Sequence, residues 1–183
     1  MGWWPPWRVQ VRSVSVGLPF GLGNAEIEVD DAQRRAAWQL YVELITRISV
    51  QSLDPQHGLL REALSSLYSV FGTTREILKS AGPQVAARSS SVGKTALCVL
   101  NKGIRPFLSK WHPDLSDWEV HRATGISARQ HEAGWDKAPV MRSELNELRQ
   151  ELELYAAALA AAAGIDDARL ETDSVDPKWG GIE

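Results

Sequence analysis

The segment 91–113, SVGKTALCVLNKGIRPFLSKWHP, holds the residues of this chain whose types and spacing come nearest to chemistry. Gly93, Lys94 and Thr95 match the end of a phosphate-binding loop, G-x-x-x-x-G-K-[ST], whose glycines let backbone N–H groups wrap phosphates that the lysine then reaches. The first glycine of that motif would fall at position 88, which is Arg88, and no convincing strand precedes the segment, so GKT is expected to open a helix. Arg105 and His112, with six residues between them, form the second candidate. A guanidinium holds a phosphate, an imidazole moves a proton near neutral pH, and residues seven apart on an unbroken helix share a face. Such a pair could assist metal-free cleavage of a phosphodiester. Pro106, directly after Arg105, is expected to kink or split the helix that carries both.

Both candidates lie in a longer basic tract. From Ile77 to Pro113 the chain has six cations, Lys79, Arg88, Lys94, Lys102, Arg105 and Lys110, and no acid. Lys94, Lys102, Arg105 and Lys110 are therefore candidates for holding an anion or a partner. The competing expectation sets Lys102, Arg105 and Lys110 beside the acids of the last helix, Glu144, Glu147, Glu151 and Glu153, or in solvent. With 14 Arg and four His in the chain, chance alone supplies roughly one pair at a spacing like that of Arg105 and His112. His121 and His131 lack neighbouring Cys or paired carboxylates, no G-x-S-x-G elbow occurs, and neither a metal nor a cofactor is expected.

The elements that must position these residues read as mainly α, a four-to-five-helix bundle after a short N-terminal β-hairpin. Residues 7–16 alternate in apolar character with a phase change, as a bulged strand would, and 25–29 alternate again after the loop GLPFGLGN, which suggests a hairpin with a long connection. Asp30 with Gln33 resembles a capping box for a first helix with the stripe Trp38, Tyr41, Val42, Ile45 and Ile48, widened by Leu40 and Leu44. Asp54-Pro55 is expected to start a second helix, with Leu60, Leu64, Leu67, Phe71 and Leu78 on its core face and Gly82-Pro83 as its stop. A third runs through Leu97, Leu100, Ile104, Phe107, Leu108 and Trp111 until Pro113 ends it, and Ser127 with Gln130 caps the last helical region. Pro139 is expected to bend or break that region before its most regular part. There Met141, Leu145, Leu148, Leu152, Tyr155 and Leu159 form a heptad seam, ended by Gly164, which suits either an inner bundle helix or self-association of two chains.

The chain divides into three parts: a hairpin over 1–29, a bundle over 30–164 and an acidic tail over 165–183, with six acids against Arg169 and Lys178 and an isolated Trp179. The whole chain has a net charge of −3. Its single cysteine, Cys98, suits a reducing cytoplasm, and no apolar run approaches the roughly 18 residues of a membrane span. The start MGWWPPWRV lacks the basic and apolar regions of a secretory signal, so a cytoplasmic location without membrane attachment is expected.

The Arg105–His112 pair in a helical setting resembles the R-x4-6-H pattern of the HEPN family of helical-bundle proteins, many of them ribonucleases. That resemblance implies a dimer in which Arg and His of both subunits meet at a cleft and cleave RNA without metal. Over about residues 30 to 165, the blocks AAWQLYVELITRI, LREALSSLYSVFGTTREIL and LNKGIRPFLSKWHP are also similar to a group of bacterial helical proteins of actinobacterial type. This second resemblance implies a distinct helical family and no particular activity. Strong core patterning without a convergent catalytic set favours a non-catalytic interaction or oligomerisation module, with a protein partner or self-association expected. By analogy of fold, such a module would be an accessory of a bacterial conflict system. The opposing expectation is a HEPN-like ribonuclease using Arg105 and His112, with RNA as its partner.

Overall fold

Asp30 closes the sheet and opens the bundle: its extended backbone leaves the hairpin, and its carboxylate accepts the N–H of Gln33 at 2.9 Å. The computed structural model describes residues 12–47 and 58–165 of the chain. Strands β1 (Arg12–Leu18) and β2 (Gly23–Val29) pair antiparallel. Helices α1 (Asp31–Ile45) and α2 (Leu60–Ala81) come next, then a 3₁₀ turn at Pro83–Ala86 and helix α3 (Val92–Cys98). A π-helical turn at Val99–Ile104 leads into α4 (Arg105–Val120), and α5 (Ala128–Ala133) and α6 (Ala138–Ala163) complete the fold. The mainly α bundle with its N-terminal hairpin is the expected architecture. Trp7 and the rest of the first expected strand before Arg12, the expected helix start at Asp54-Pro55, and residues 166–183 with Trp179 lie outside the described residues.

Strand pairing continues to Leu18 opposite Gly23, so the connection is the four residues 19–22 and not a long loop. At its tip Phe20 takes a left-handed backbone, φ 57°. Its N–H donates to Glu151 of α6 at 2.5 Å, and its ring lies where a Cβ on Gly103 would stand, 2.2 Å from Cζ. Gly103 thus has a steric role: it lets the Phe20 ring settle directly on the π turn, and a Cβ there would force that ring to move. Val16, Ile27 and Val29 face the bundle and are buried. A two-stranded hairpin is marginal alone, and this apolar face against the bundle supplies its stability.

Helix α1 packs along α6 and beside α2. Its buried face is Gln33, Ala36, Ala37, Leu40, Tyr41 and Leu44, rotated from the expected stripe, and Trp38 is 49% exposed, stacked on Tyr41. The two alanines explain the rotation, because small side chains allow the closest approach of a neighbouring helix. Helix α2 begins at Leu60, buries Leu60, Leu64, Leu67 and Phe71 as expected, and stops at Gly82 with φ 82°.

The prolines behave differently from expectation. Pro106 does not split a helix mid-course; it falls in the first turn of α4, where a missing N–H costs little, and the π turn before it makes the adjustment. The N–H of Arg105 accordingly bonds to the carbonyl of Leu100, five residues back. Pro113 does not end α4 either: it stands on the exposed side while Trp111 and Leu115 anchor the other side in the core. Pro139 lies in the first turn of α6 and leaves the helix after it intact.

The heptad residues Met141, Leu145, Leu148, Leu152, Tyr155 and Leu159 are all buried within the single chain, where α6 meets α1, β1 and the π turn. They form an intramolecular seam, the inner-helix alternative of the two that the heptad pattern suits, and in the single chain these oligomer-seam candidates are covered by its own elements. The Tyr155 hydroxyl has no hydrogen-bond partner among the described residues, and burial pushes its phenol well above the usual range. Removing an unsatisfied buried hydroxyl relieves its desolvation cost, so Tyr155→Phe is expected to raise the unfolding free energy by about 1 kcal/mol in urea denaturation. A loss of similar size would contradict this account of the hydroxyl.

Candidate functional site

The basic tract divides between two sides of α4. Lys102 and Lys110 turn to α6 and line a groove with Phe20, Glu144, Glu147 and Glu151. Lys110 pairs with Glu144 at 2.5 Å, and the Trp111 indole N–H donates to the other oxygen of the same carboxylate at 2.8 Å. The bond from Lys110 chiefly, helped by Trp111 and opposed by burial, holds the Glu144 carboxyl below its ordinary range. Arg88 pairs with Glu28 of the hairpin at 2.9 Å, and Lys94 stands exposed in the first turn of α3. Lys110 therefore meets an acid of the last helix, as the competing expectation had it, and Lys102 stands exposed in the same groove. Arg105 is placed elsewhere.

Helices α2 and α4 run antiparallel, locked at one end by Arg61, whose guanidinium donates to Glu119 at 2.6 Å and to Ser116 at 3.1 Å. Farther along the pair, a cleft of about 400 Å³ opens between them. From α4 come Arg105, Ser109 and His112, and from α2 come Tyr68 and Arg75, each set on one helical face, with Phe71 and Leu108 as the apolar floor. The Arg105 guanidinium lies 5.4 Å from the centre of the Phe71 ring, and its Nε donates to Asn101 at 3.1 Å. This contact fixes the guanidinium in place and leaves its other N–H groups for a ligand. Among the described residues no carboxylate lines the cleft.

Because α4 is unbroken from Arg105 onward, Arg105 and His112 stand on one face in one cleft, and the expected disturbance from Pro106 does not separate them. Tyr68 and Arg75 are the residues that sequence reading missed. The signal was their position on the polar side of α2, one on each flank of Phe71. Assigning them to a site required knowing which helix lies opposite.

The other candidates have structural roles. In Gly93-Lys94-Thr95, Ser91 caps the helix through the N–H of Lys94, Thr95 is buried, and a Cβ on Gly93 would lie 2.7 Å from the carbonyl oxygen of Val85. Gly93 is a packing glycine that lets α3 touch the 3₁₀ turn. Buried Gln33 ties the same region together, donating to the Gln84 carbonyl at 3.2 Å and accepting the Val92 N–H at 2.9 Å. His131 stacks on Trp118 with ring centres 4.6 Å apart, and one ring nitrogen lies 2.8 Å from the Trp118 carbonyl. Among the described residues no cluster of three His, Cys, Asp or Glu could hold a metal ion, and no helix is long and apolar enough to cross a membrane.

Comparison with protein-family models, curated proteins and solved structures finds no match to this chain. The assignment of function therefore rests on the cleft.

Proposed function

We propose that the protein is a non-catalytic interaction module whose α2–α4 cleft takes the phosphodiester backbone of RNA. The observation that carries this reading is the convergence of Arg75 and Arg105, from two helices, beside His112, Tyr68 and Ser109 in a cleft without a carboxylate. Guanidinium groups bind phosphate through paired, charge-assisted hydrogen bonds, and the apolar floor lowers the local dielectric that those bonds experience. Arg75 and His112 have no hydrogen-bond or ion-pair partner among the described residues, so a ligand need not displace one.

Fluorescence anisotropy with a labelled short RNA tests the reading. Arg75→Ala and Arg105→Ala are each expected to weaken binding about tenfold, the loss of one charge-assisted contact, and to reduce its salt dependence. Lys110→Ala, on the far side of α4, is the control and is expected to leave affinity within twofold, roughly, since that lysine faces Glu144. Equal affinity in all three variants contradicts the assignment of the cleft.

A second reading is favoured by one observation: α4 is continuous across Arg105 and His112, so imidazole and guanidinium share a cleft within one chain. In that reading His112 accepts the proton of an RNA 2′-hydroxyl as its oxygen attacks phosphorus, the 5′-oxygen leaves, and Arg105 neutralises the phosphate charge. Incubating RNA with the protein in chelator separates the two readings. Shortening of the RNA that disappears in the Arg105→Ala/His112→Ala double variant selects the nuclease; intact RNA selects the module.

A further inference from the structure

Arg75 lines two depressions. One is the α2–α4 cleft; the other is a groove of about 400 Å³ beyond the end of α2, with Leu78, Val85 and Leu97 on its floor and Lys79 on its rim. Both depressions carry exposed apolar platforms beside cations: Tyr68 is 67% exposed at the first, and Leu97 is 42% exposed at the second. Arg75 and Lys79 are one helical turn apart on α2, close enough to serve successive phosphates. Lys79 does pair with Glu76 at 2.8 Å, but both side chains are largely in solvent, where such a pair contributes little and yields to a phosphate.

Resting on the reading of the cleft as an RNA site, we infer that the two depressions form one track selective for single strands. Arg105, Arg75 and Lys79 hold consecutive phosphates along it, one base stacks on Tyr68, and the next lies on the apolar floor at Leu78 and Leu97. A duplex keeps its base faces stacked inside the helix, so it can offer phosphates to the three cations but nothing to Tyr68 or Leu97. The cations would give affinity, and the apolar platforms would give the preference for an unpaired strand.

The test compares a labelled oligoadenylate with the same strand annealed to oligouridylate, over a series of salt concentrations, using the full chain. The single strand is expected to bind about tenfold more tightly than the duplex, Tyr68→Ala to remove that preference, and Tyr68→Phe to keep it. Lys79→Gln is expected to weaken single-strand binding and to flatten the slope of log affinity against log salt by about 0.7, one phosphate contact. Equal binding of strand and duplex, unaffected by Tyr68→Ala, overturns the track while leaving the phosphate cleft in place. An unchanged salt slope in Lys79→Gln overturns the extension into the second groove. No binding of either RNA overturns both the track and the reading on which it rests.

Discussion

Replacing Glu132 with Ala is expected to lower the unfolding free energy by about 3 kcal/mol and the melting temperature by roughly 6–12 °C. Glu132 is only 8% exposed, and both of its carboxylate oxygens are engaged. One accepts the N–H of Leu60, the first residue of α2, at 2.9 Å. The other accepts from the Arg142 guanidinium at 2.5 Å, and the same Arg142 nitrogen donates to the Gly58 carbonyl at 2.8 Å. The carboxylate thus satisfies an otherwise orphaned donor at the positive end of a helix and neutralises an arginine of α6, joining α5, α6 and the entry to α2. Alanine would leave the N–H and the guanidinium without their partner at once. Arg142 keeps some contact with water, its side chain 28% exposed, which places the expected loss at the lower end of the range for breaking a buried pair. Glu132→Gln keeps an acceptor for Leu60 but not the charge, and about half the loss is expected. Urea denaturation followed by circular dichroism reads both values; a loss below about 1 kcal/mol for the alanine variant would contradict the role of this carboxylate.

The roles of Glu132 and Gln33 are not legible in the sequence, where Gln33 reads as half of a capping box although its side chain turns instead to Gln84 and Val92, and the reason is physical. A buried polar residue that ties together segments distant in the chain carries no periodic mark. Glu132 reaches 72 residues back to Leu60, and Gln33 reaches 59 forward to Val92. By contrast, the core faces of α2 and α6 are legible because leucines and other bulky apolar residues recur there at spacings of three and four. Helix α1 is less legible. Trp38, Val42 and Ile45 weigh heavily in a count of apolar residues, whereas Ala36 and Ala37, which set where α6 approaches, weigh almost nothing.

The candidate site is legible by halves for a related reason. Arg105 and His112 lie on one helix, and their shared face comes from helical geometry alone. The divergence of Arg105 from Lys110 follows from it too, since five residues along α4 turn by about 140°. The divergence of Arg105 from Lys102 does not, because the π turn at Val99–Ile104 inserts one residue into the helical repeat and shifts the phase of the residues after it by about 100°. Leu97, counted on the same stripe as Leu100, is exposed at the end of α3 while Leu100 is buried in the π turn. Tyr68 and Arg75 reach the cleft only through the antiparallel docking of α2 on α4, a contact between segments distant in the chain. Pro106 and Pro139 mislead for a different reason: a proline's cost depends on whether it falls in a first turn, and the boundaries of these helices are set by the π turn and by packing.

Leu152→Ala is expected to cost about 3–4 kcal/mol, the largest effect of a single truncation in α6. Leu152 is fully buried midway along the helix, between Leu148 and Tyr155, where the seam meets the rest of the bundle. Truncating the side chain there takes away its transfer free energy and leaves a cavity, because neighbours already in good rotamers collapse only partly. The variant also decides what the heptad seam is for. If the seam joined two chains, stability would rise with protein concentration, and truncation would shift the molar mass toward one chain. For a seam closed within one chain, the loss is the same at every concentration, and light scattering gives the 20.2 kDa of a single chain for the wild type and for the variant. A wild-type mass of two chains that falls on substitution would contradict the intramolecular seam. Unfolding at two concentrations about a hundredfold apart, with masses recorded on the same samples, reads both quantities. The two outcomes differ in kind as well as size, since concentration moves the midpoint in one case and leaves it fixed in the other.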